Sequence, residues 1–182
     1  MINTYSDYKF YTKMDAQANG INSRLDYIMK LLYGNIGALV YRYLKTLRKY
    51  EYALNRGSIS QHWYRIRLRL LGNKYGITII PNTVGYGLFI PHIEGGVVLN
   101  CKKMGNNCIV GFGVLCGNKN EENPDNIPTI GDNVRLYAGC KVIGNVTIGN
   151  NAEVATNAVV VKDVPENAIV AGIPAKILRI KE

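Results

Sequence analysis

The sequence predicts a mainly β protein, a β-helix of short coils preceded by a small α-helical domain. Three observations carry that prediction. Residues 130–165 repeat with a period of six. Residues 38–55 place apolar side chains at steps of three and four. Between them, near Asn73–Tyr75, the composition turns from Tyr, Leu and Arg to Val, Ile, Gly and Asn. The domains therefore divide as 1–75, helical, and 76–182, the β-helix with its C-terminal tail.

The repeat reads IGDNVR, LYAGCK, VIGNVT, IGNNAE, VATNAV, VVKDVP. Its first positions, Ile130, Leu136, Val142, Ile148, Val154 and Val160, are all aliphatic. Its fifth positions, Val134, Cys140, Val146, Ala152, Ala158 and Val164, are all small or apolar. A period of six matches neither the 3.6 of a helix nor the alternation of a flat sheet. It matches a β-helix, in which one short strand and one turn use six residues and equivalent side chains stack about 4.8 Å apart. Gly and Asn fill the middle of each hexad, where a sharp corner needs left-handed backbone.

Along the chain, residues 5–18 form a short helix that Asn19-Gly20 stops, and Ser23 caps a second helix through Leu32. Gly34 and Gly37 interrupt the chain after it. The segment 38–55 is the clearest helix, with Val40, Tyr43, Leu44, Leu47, Tyr50 and Leu54 on one side and Arg42, Lys45, Arg48 and Lys49 over the remainder. Gly57 ends it. Ser58 or Ser60 opens a fourth helix, with Ile59, Trp63, Ile66 and Leu70 on one stripe, Arg65 and Arg69 beside it, and Gly72 at its close. Such stripes read as core or subunit contact. In the β region Val84 and Ile90 are six apart, as are Val98, Met104, Val110 and Cys116, but these sets are out of phase. The coil therefore slips near Gly95-Gly96, and again between Cys116 and Ile130. The second slip contains NKNEENPDNIP, a loop long enough to be functional or disordered.

The totals bound the function. A chain of 182 residues, 47% hydrophobic and 19% charged, buries a real core. No apolar run reaches bilayer length and the first ten residues are polar, which predicts a cytoplasmic protein. Cys101, Cys108, Cys116 and Cys140 form no CxxC pair and no cluster with histidine, so free thiols are expected, with no disulfide and no metal site. Residues 24–74 hold eleven Lys/Arg against two acids, Asp26 and Glu51, a surplus of nine that equals the net charge of the whole chain. That basic module is either a solvated helical face or a site for something anionic, such as an inner membrane face or a lipid-linked glycan. No nucleic-acid motif accompanies it.

The hexads, the internal loop and the ending VVVKDVPENAIVAGIPAKILR resemble the hexapeptide-repeat acetyltransferases. The helical N-terminal region with GITIIPNTVGYGLFIPHIEGGVVL after it resembles their serine acetyltransferase branch, which includes enzymes acting on surface-polysaccharide sugars. The resemblance implies a left-handed parallel β-helix and a homotrimer with active sites between subunits, which the N-terminal helices cap or pair into a dimer of trimers. It also implies acetyl-CoA as donor and a histidine base that activates an acceptor hydroxyl for direct attack on the thioester. His92, in FIPHIEGG, matches the base, whereas His62, in a predicted helix, reads as structural. Two histidines cannot supply the three ligands of the zinc enzymes that share the fold. The acids that flank and orient the base in serine acetyltransferases are replaced by Pro91 and Thr78, which leaves Glu94 as the nearest acid. The Arg-His pair that binds serine is replaced by Asn126 and Ile127. Ala138, Thr156, Val161 and Lys162 match the groove for the pantetheine arm, and Lys176 and Arg179 match the residues that meet the CoA phosphates.

With the base kept and the serine partners changed, the sequence favours an O-acetyltransferase acting on a sugar hydroxyl in polysaccharide synthesis. The alternatives are a serine O-acetyltransferase of cysteine biosynthesis and a non-catalytic assembly module.

Overall fold

The computed structural model describes residues 1–119 and 123–181. Residues 120–122, in the middle of the long polar loop expected from the sequence, lie outside the described residues, as does residue 182.

Four helices come first: α1 (Tyr5–Ala18), α2 (Arg24–Leu32), α3 (Ile36–Asn55) and α4 (Ser60–Tyr75). Local chemistry sets their starts. Thr4 and Asp7 form a reciprocal capping box, with Asp7 N donating to Thr4 Oγ1 at 3.0 Å and Thr4 N donating to the Asp7 carboxylate at 2.8 Å. Ser23 caps α2 by accepting from Asp26 N at 3.1 Å. Two glycines read as stops have another role. Gly37 lies inside the first turn of α3, where a Cβ would stand 2.5 Å from the Asn19 carbonyl oxygen. Gly72 lies inside α4, where a Cβ would stand 2.7 Å from the Ile77 carbonyl oxygen. Both allow close backbone approach. The left-handed residue that ends α4 is Gly76, with φ of 67°.

Thirteen short strands come next among the described residues: β1 (Ile77–Ile79), β2 (Val97–Leu99), β3 (Lys103–Met104), β4 (Ile109–Val110), β5 (Leu115–Gly117), β6 (Thr129–Ile130), β7 (Arg135–Leu136), β8 (Lys141–Ile143), β9 (Thr147–Ile148), β10 (Glu153–Val154), β11 (Val159–Val160), β12 (Ala168–Ala171) and β13 (Lys176–Ile180). They stack into three flat faces. Face one is β1-β2-β5-β8-β11, face two is β3-β6-β9, and face three is β4-β7-β10-β12, closed by β13. Among the described strands every pairing is parallel except β12 with β13. Arg135 pairs with Glu153 and Lys141 with Val159, each 18 residues on, so one coil is three hexads. Leu115 pairs with Lys141, 26 residues on, because that coil contains the long loop.

The interior follows the hexad. Met104, Val110, Cys116, Ile130, Leu136, Val142, Ile148, Val154 and Val160 are at most 1% exposed. Val98, read as one of this series, points outward, while Val97 and Leu99 point in. The early coil has slipped by one residue there, and a one-residue shift exchanges the two faces of a strand. The four cysteines are buried in this stack. Burial pushes the thiols of Cys108 and Cys140 up to about 11 and about 12.

The helical layer docks on the first coils through α3 and α4. Val40, Tyr43, Leu44, Leu47, Leu68, Leu71 and Tyr75 join the core of the β-helix. Arg48, expected on the polar side of α3, is instead fully buried. Its Nε donates to Asp15 at 2.8 Å, and its Nη1 donates to Glu51 at 3.1 Å and to the Val84 carbonyl at 2.9 Å. The carboxylates reach on into the coil: Asp15 accepts from Gly87 N and Glu51 from Asn82 N, both at 2.8 Å. Burial alone would lower the guanidinium's pKa, but Asp15 and Glu51 outweigh it and hold the group above its ordinary value. This clamp joins α1, α3 and residues 82–87.

The apolar stripe Ile59, Trp63, Ile66 and Leu70 is exposed. α4 carries apolar residues on two sides, and its packed side is Leu68, Leu71 and Tyr75. Among the described residues no helix is long and apolar enough to cross a membrane.

Candidate active site

Three corners separate the faces, and corners of successive coils stack into edges. The edge where face three turns into face one carries the candidate base. Phe89 bridges Ile109, Ile109 pairs with Arg135, and Arg135 pairs with Glu153. The corners just after these residues hold His92, Phe112, Ala138 and Thr156 in successive coils. Backbone bonds tie them: Gly139 N donates to Phe112 O at 2.8 Å, and Asn157 N donates to Ala138 O at 2.9 Å. At about 4.8 Å per coil, Ala138 stands about 10 Å and Thr156 about 15 Å along the axis from the coil of His92.

His92 does not lie flush in this stack. Phe89 and Val98 are nine residues apart, whereas their partners Ile109 and Leu115 are six apart. Three extra residues in PHIEGG push this corner outward. That insertion is the slip read near Gly95-Gly96. Gly95 and Gly96 both have positive φ, 94° and 76°, which lets the chain return to β2. The imidazole stands edge-on to Phe112, with centroids 6.1 Å apart and planes at 89°. Its Nδ1 is 3.8 Å from a Glu94 carboxylate oxygen, which also accepts from Ile93 N at 3.1 Å. At 3.8 Å this is a charge contact, longer than a hydrogen bond. The side chains of His92 and Glu94 are 58% and 70% exposed, so the pair is open to a substrate or a neighbouring chain.

The other predicted residues divide between two places. Lys176 starts β13 opposite Ala171, at the far end of the His92 edge, while Arg179 pairs with Ile169 farther across face three. Both are exposed. Asn126, Val161 and Lys162 lie instead on the edge where face one turns into face two. Asn126 Oδ1 accepts from Asn145 N at 2.7 Å, so this side chain holds the long loop to the next corner. Within one chain, therefore, His92, Glu94, Ala138, Thr156 and Lys176 share an edge, and Asn126, Val161 and Lys162 do not reach it. Phe112 was not singled out from the sequence, although a lone aromatic in GFG at a Gly-rich corner was a usable signal. Among the described residues no three His, Cys, Asp or Glu side chains gather as a metal site.

Against known families, the bacterial transferase hexapeptide profile of six repeats matches residues 127–162. The chain is similar to the serine acetyltransferase of Synechococcus elongatus, 35% identical over 127 residues, which covers 64% of this chain and 52% of that protein. It is similar to the serine acetyltransferase of Staphylococcus xylosus, 40% identical over 105 residues, covering 57% of this chain and 49% of that one. The chain thus spans about half the length of these relatives. Among solved structures, the Neisseria gonorrhoeae serine acetyltransferase superposes with a TM-score of 0.72 at 27% identity, over 97% of this chain and 67% of that one. The Brucella abortus serine acetyltransferase gives 0.77 at 24%, over 98% and 71%. The fold is a left-handed parallel β-helix behind N-terminal helices, as the sequence predicted. The sugar acceptor favoured from the sequence is overturned: these relatives are serine acetyltransferases, and the likeness to polysaccharide enzymes finds no support. The reading had given too much weight to Pro91, Thr78, Asn126 and Ile127, four substitutions set against a match of more than a hundred residues.

Proposed function

We propose that the chain is an acetyl-CoA-dependent O-acetyltransferase whose acceptor is the hydroxyl of L-serine and whose general base is His92. The observation that carries the proposal is the shared edge of His92, Phe112, Ala138 and Thr156. It sets an exposed imidazole in line with stacked corner backbone that runs toward the basic tail strand. Its support is the likeness to serine acetyltransferases at 35 to 40% identity. Related solved structures carry CoA or serine, and we extend both molecules to this chain.

In this reading the pantetheine arm lies along the edge past Thr156 and Ala138, and Lys176 and Arg179 face the CoA phosphates. Neither cation has a carboxylate within 4 Å among the described residues. The thioester then reaches the coil of His92. Nδ1 faces Glu94, so Nε2 faces the acceptor. The serine hydroxyl gives its proton to Nε2 as its oxygen bonds to the acetyl carbon. The carbon–sulfur bond breaks, and the imidazolium returns the proton to the CoA thiolate. Phe112 restrains the ring plane, and Glu94 stabilises the imidazolium.

A homotrimer belongs to the same reading. It would set the edge bearing Asn126, Val161 and Lys162 of one copy against the His92 edge of the next, and so join the two groups.

The test is CoA release from acetyl-CoA with L-serine, comparing wild type with His92→Asn. Wild-type turnover with a kcat loss of about 10²- to 10⁴-fold in the variant is expected. Absence of serine-dependent release by the wild type would overturn the proposal, and full activity of the variant would overturn His92 as base.

A further inference from the structure

The outer side of α4 carries apolar side chains that the fold does not cover. Ile59, just before the helix, and Trp63, Ile66 and Leu70 within it follow at steps of four, three and four, so they form one continuous stripe. They are 57% to 87% exposed. The stripe runs over about 17 Å of helix. It stands on the other side of α4 from Leu68, Leu71 and Tyr75, which dock the helix on the core. A continuous exposed stripe of large apolar side chains marks a surface that a partner covers.

The charges beside the stripe decide what kind of partner fits. At about 100° per residue, Arg67 and Lys74 fall along one border of the stripe, and Arg65 and Arg69 fall beyond the other. All four are exposed. None has a carboxylate within 4 Å among the described residues. α4 holds no Asp or Glu, and neither does any position in residues 52–93. Arg65 and Arg69 also line a cavity of about 600 Å³ against β1, and among the described residues no carboxylate lines it. The stripe is therefore flanked on both sides by uncompensated positive charge. A second copy placed outer side to outer side would set these cations against their own equivalents. Nucleic acid would meet the cations and leave Ile59, Ile66 and Leu70 in water. An anionic lipid surface meets both needs, with headgroup phosphates beside the cations and the acyl boundary under the stripe. Trp63 suits that place, because its ring is apolar and its one N–H stays wet. α2 adds a second stripe, Leu25, Ile28, Met29 and Leu32, 43% to 76% exposed. Burial raises the Tyr27 hydroxyl of α2, and Arg42 and Arg67 oppose the rise, so α2 stands near the Arg67 side of α4.

We propose that the outer side of α4 binds an anionic lipid surface. The helix lies in the plane of the interface, with Trp63, Ile66 and Leu70 inserted and the arginines on the headgroup phosphates. Among the described residues no helix can cross a membrane, so the contact is with one leaflet. This binding does not depend on which acceptor His92 serves.

Trp63 is the one tryptophan of the chain, so its emission reports this surface directly. The experiment is titration of the full chain with vesicles of phosphatidylcholine alone and of phosphatidylcholine mixed with phosphatidylglycerol in equal amounts, read by flotation and by Trp63 emission. The expected result is flotation with the anionic vesicles only, with a blue shift of Trp63 and its quenching by brominated acyl chains. Arg65→Gln, Arg67→Gln and Arg69→Gln together should weaken binding about 10²-fold. Ile66→Ser with Leu70→Ser should remove the blue shift. All five side chains are exposed, so the fold should persist, and thermal unfolding checks it. No flotation with anionic vesicles, or equal flotation with neutral ones, overturns the proposal. So does flotation without any change at Trp63, which is adhesion by charge with no insertion. Sedimentation velocity without lipid tests the second copy as occupant. A mass that falls in the Ile66→Ser, Leu70→Ser variant places another copy on the stripe and overturns the lipid assignment. Binding to a DNA duplex as tight as to the anionic vesicles, and unchanged in that variant, makes the surface a polyanion site and overturns it as well.

Discussion

The helical layer and the β-helix hold themselves together in opposite ways. In the coil each strand touches the coil before and after it, and the same hexad chemistry recurs at every level, so stability is spread over many small and nearly equal contacts. The helical layer has no such repetition. It docks through one apolar seam, Val40, Tyr43, Leu44, Leu47, Leu68 and Leu71, and through one buried ionic clamp on Arg48. Regular backbone satisfies the polar groups of the coil. In the helical layer long side chains do so across large sequence separations: Arg48 to Val84, Asp15 to Gly87 and Asn19 to Leu88. A repetitive scaffold tolerates local damage, whereas a singly pinned layer concentrates its dependence on a few groups.

The largest expected effect is therefore at the clamp. Arg48→Met leaves Asp15 and Glu51 buried without their cation and should cost about 3 to 5 kcal/mol in denaturant unfolding. A loss below about 1 kcal/mol would show that the apolar seam alone holds the layer and would break the contrast. In the coil, Ile148→Ala removes one interior side chain that is 0% exposed. It should cost about 2 to 4 kcal/mol, the ordinary value for a core truncation, without separating the unfolding of helices and coil. A split transition in this variant and not in Arg48→Met would reverse the assignment. The smallest effect belongs to Thr4→Ala. Loss of the capping box at the edge of the layer should cost about 1 kcal/mol, read by the same unfolding and by faster amide exchange in the first turn of α1.

Legibility from sequence followed the same divide. The hexads from Ile130 to Val160 could be read because each position answers to the same corner or the same interior column, so the constraint is repeated six times. Helix ends were readable where capping is local, at Ser23 and at Asn19-Gly20. Gly37 and Gly72 were misread as stops because close backbone approach, to Asn19 and Ile77, is not a local property. Arg48 was read as exposed because its burial depends on two acids from other positions and on carbonyls from the coil. Of the candidate site, His92 was singled out through PHIEGG and its resemblance. Its edge-on contact with Phe112 and the division of the other residues between two edges were not.

The sequence by itself determined the coil, its interior columns, the order of helices before strands and the surplus of cations in the first module. Those are consequences of periodicity and composition, which act over a few neighbouring residues. The tertiary structure alone decided which cations are paired and which are left open. Arg48 is neutralised in the core, while Arg65 and Arg69 face a cavity that holds no acid among the described residues. The reason is physical: a charge is sorted by the groups that burial and packing bring beside it, and those groups come from chain segments that no local pattern connects.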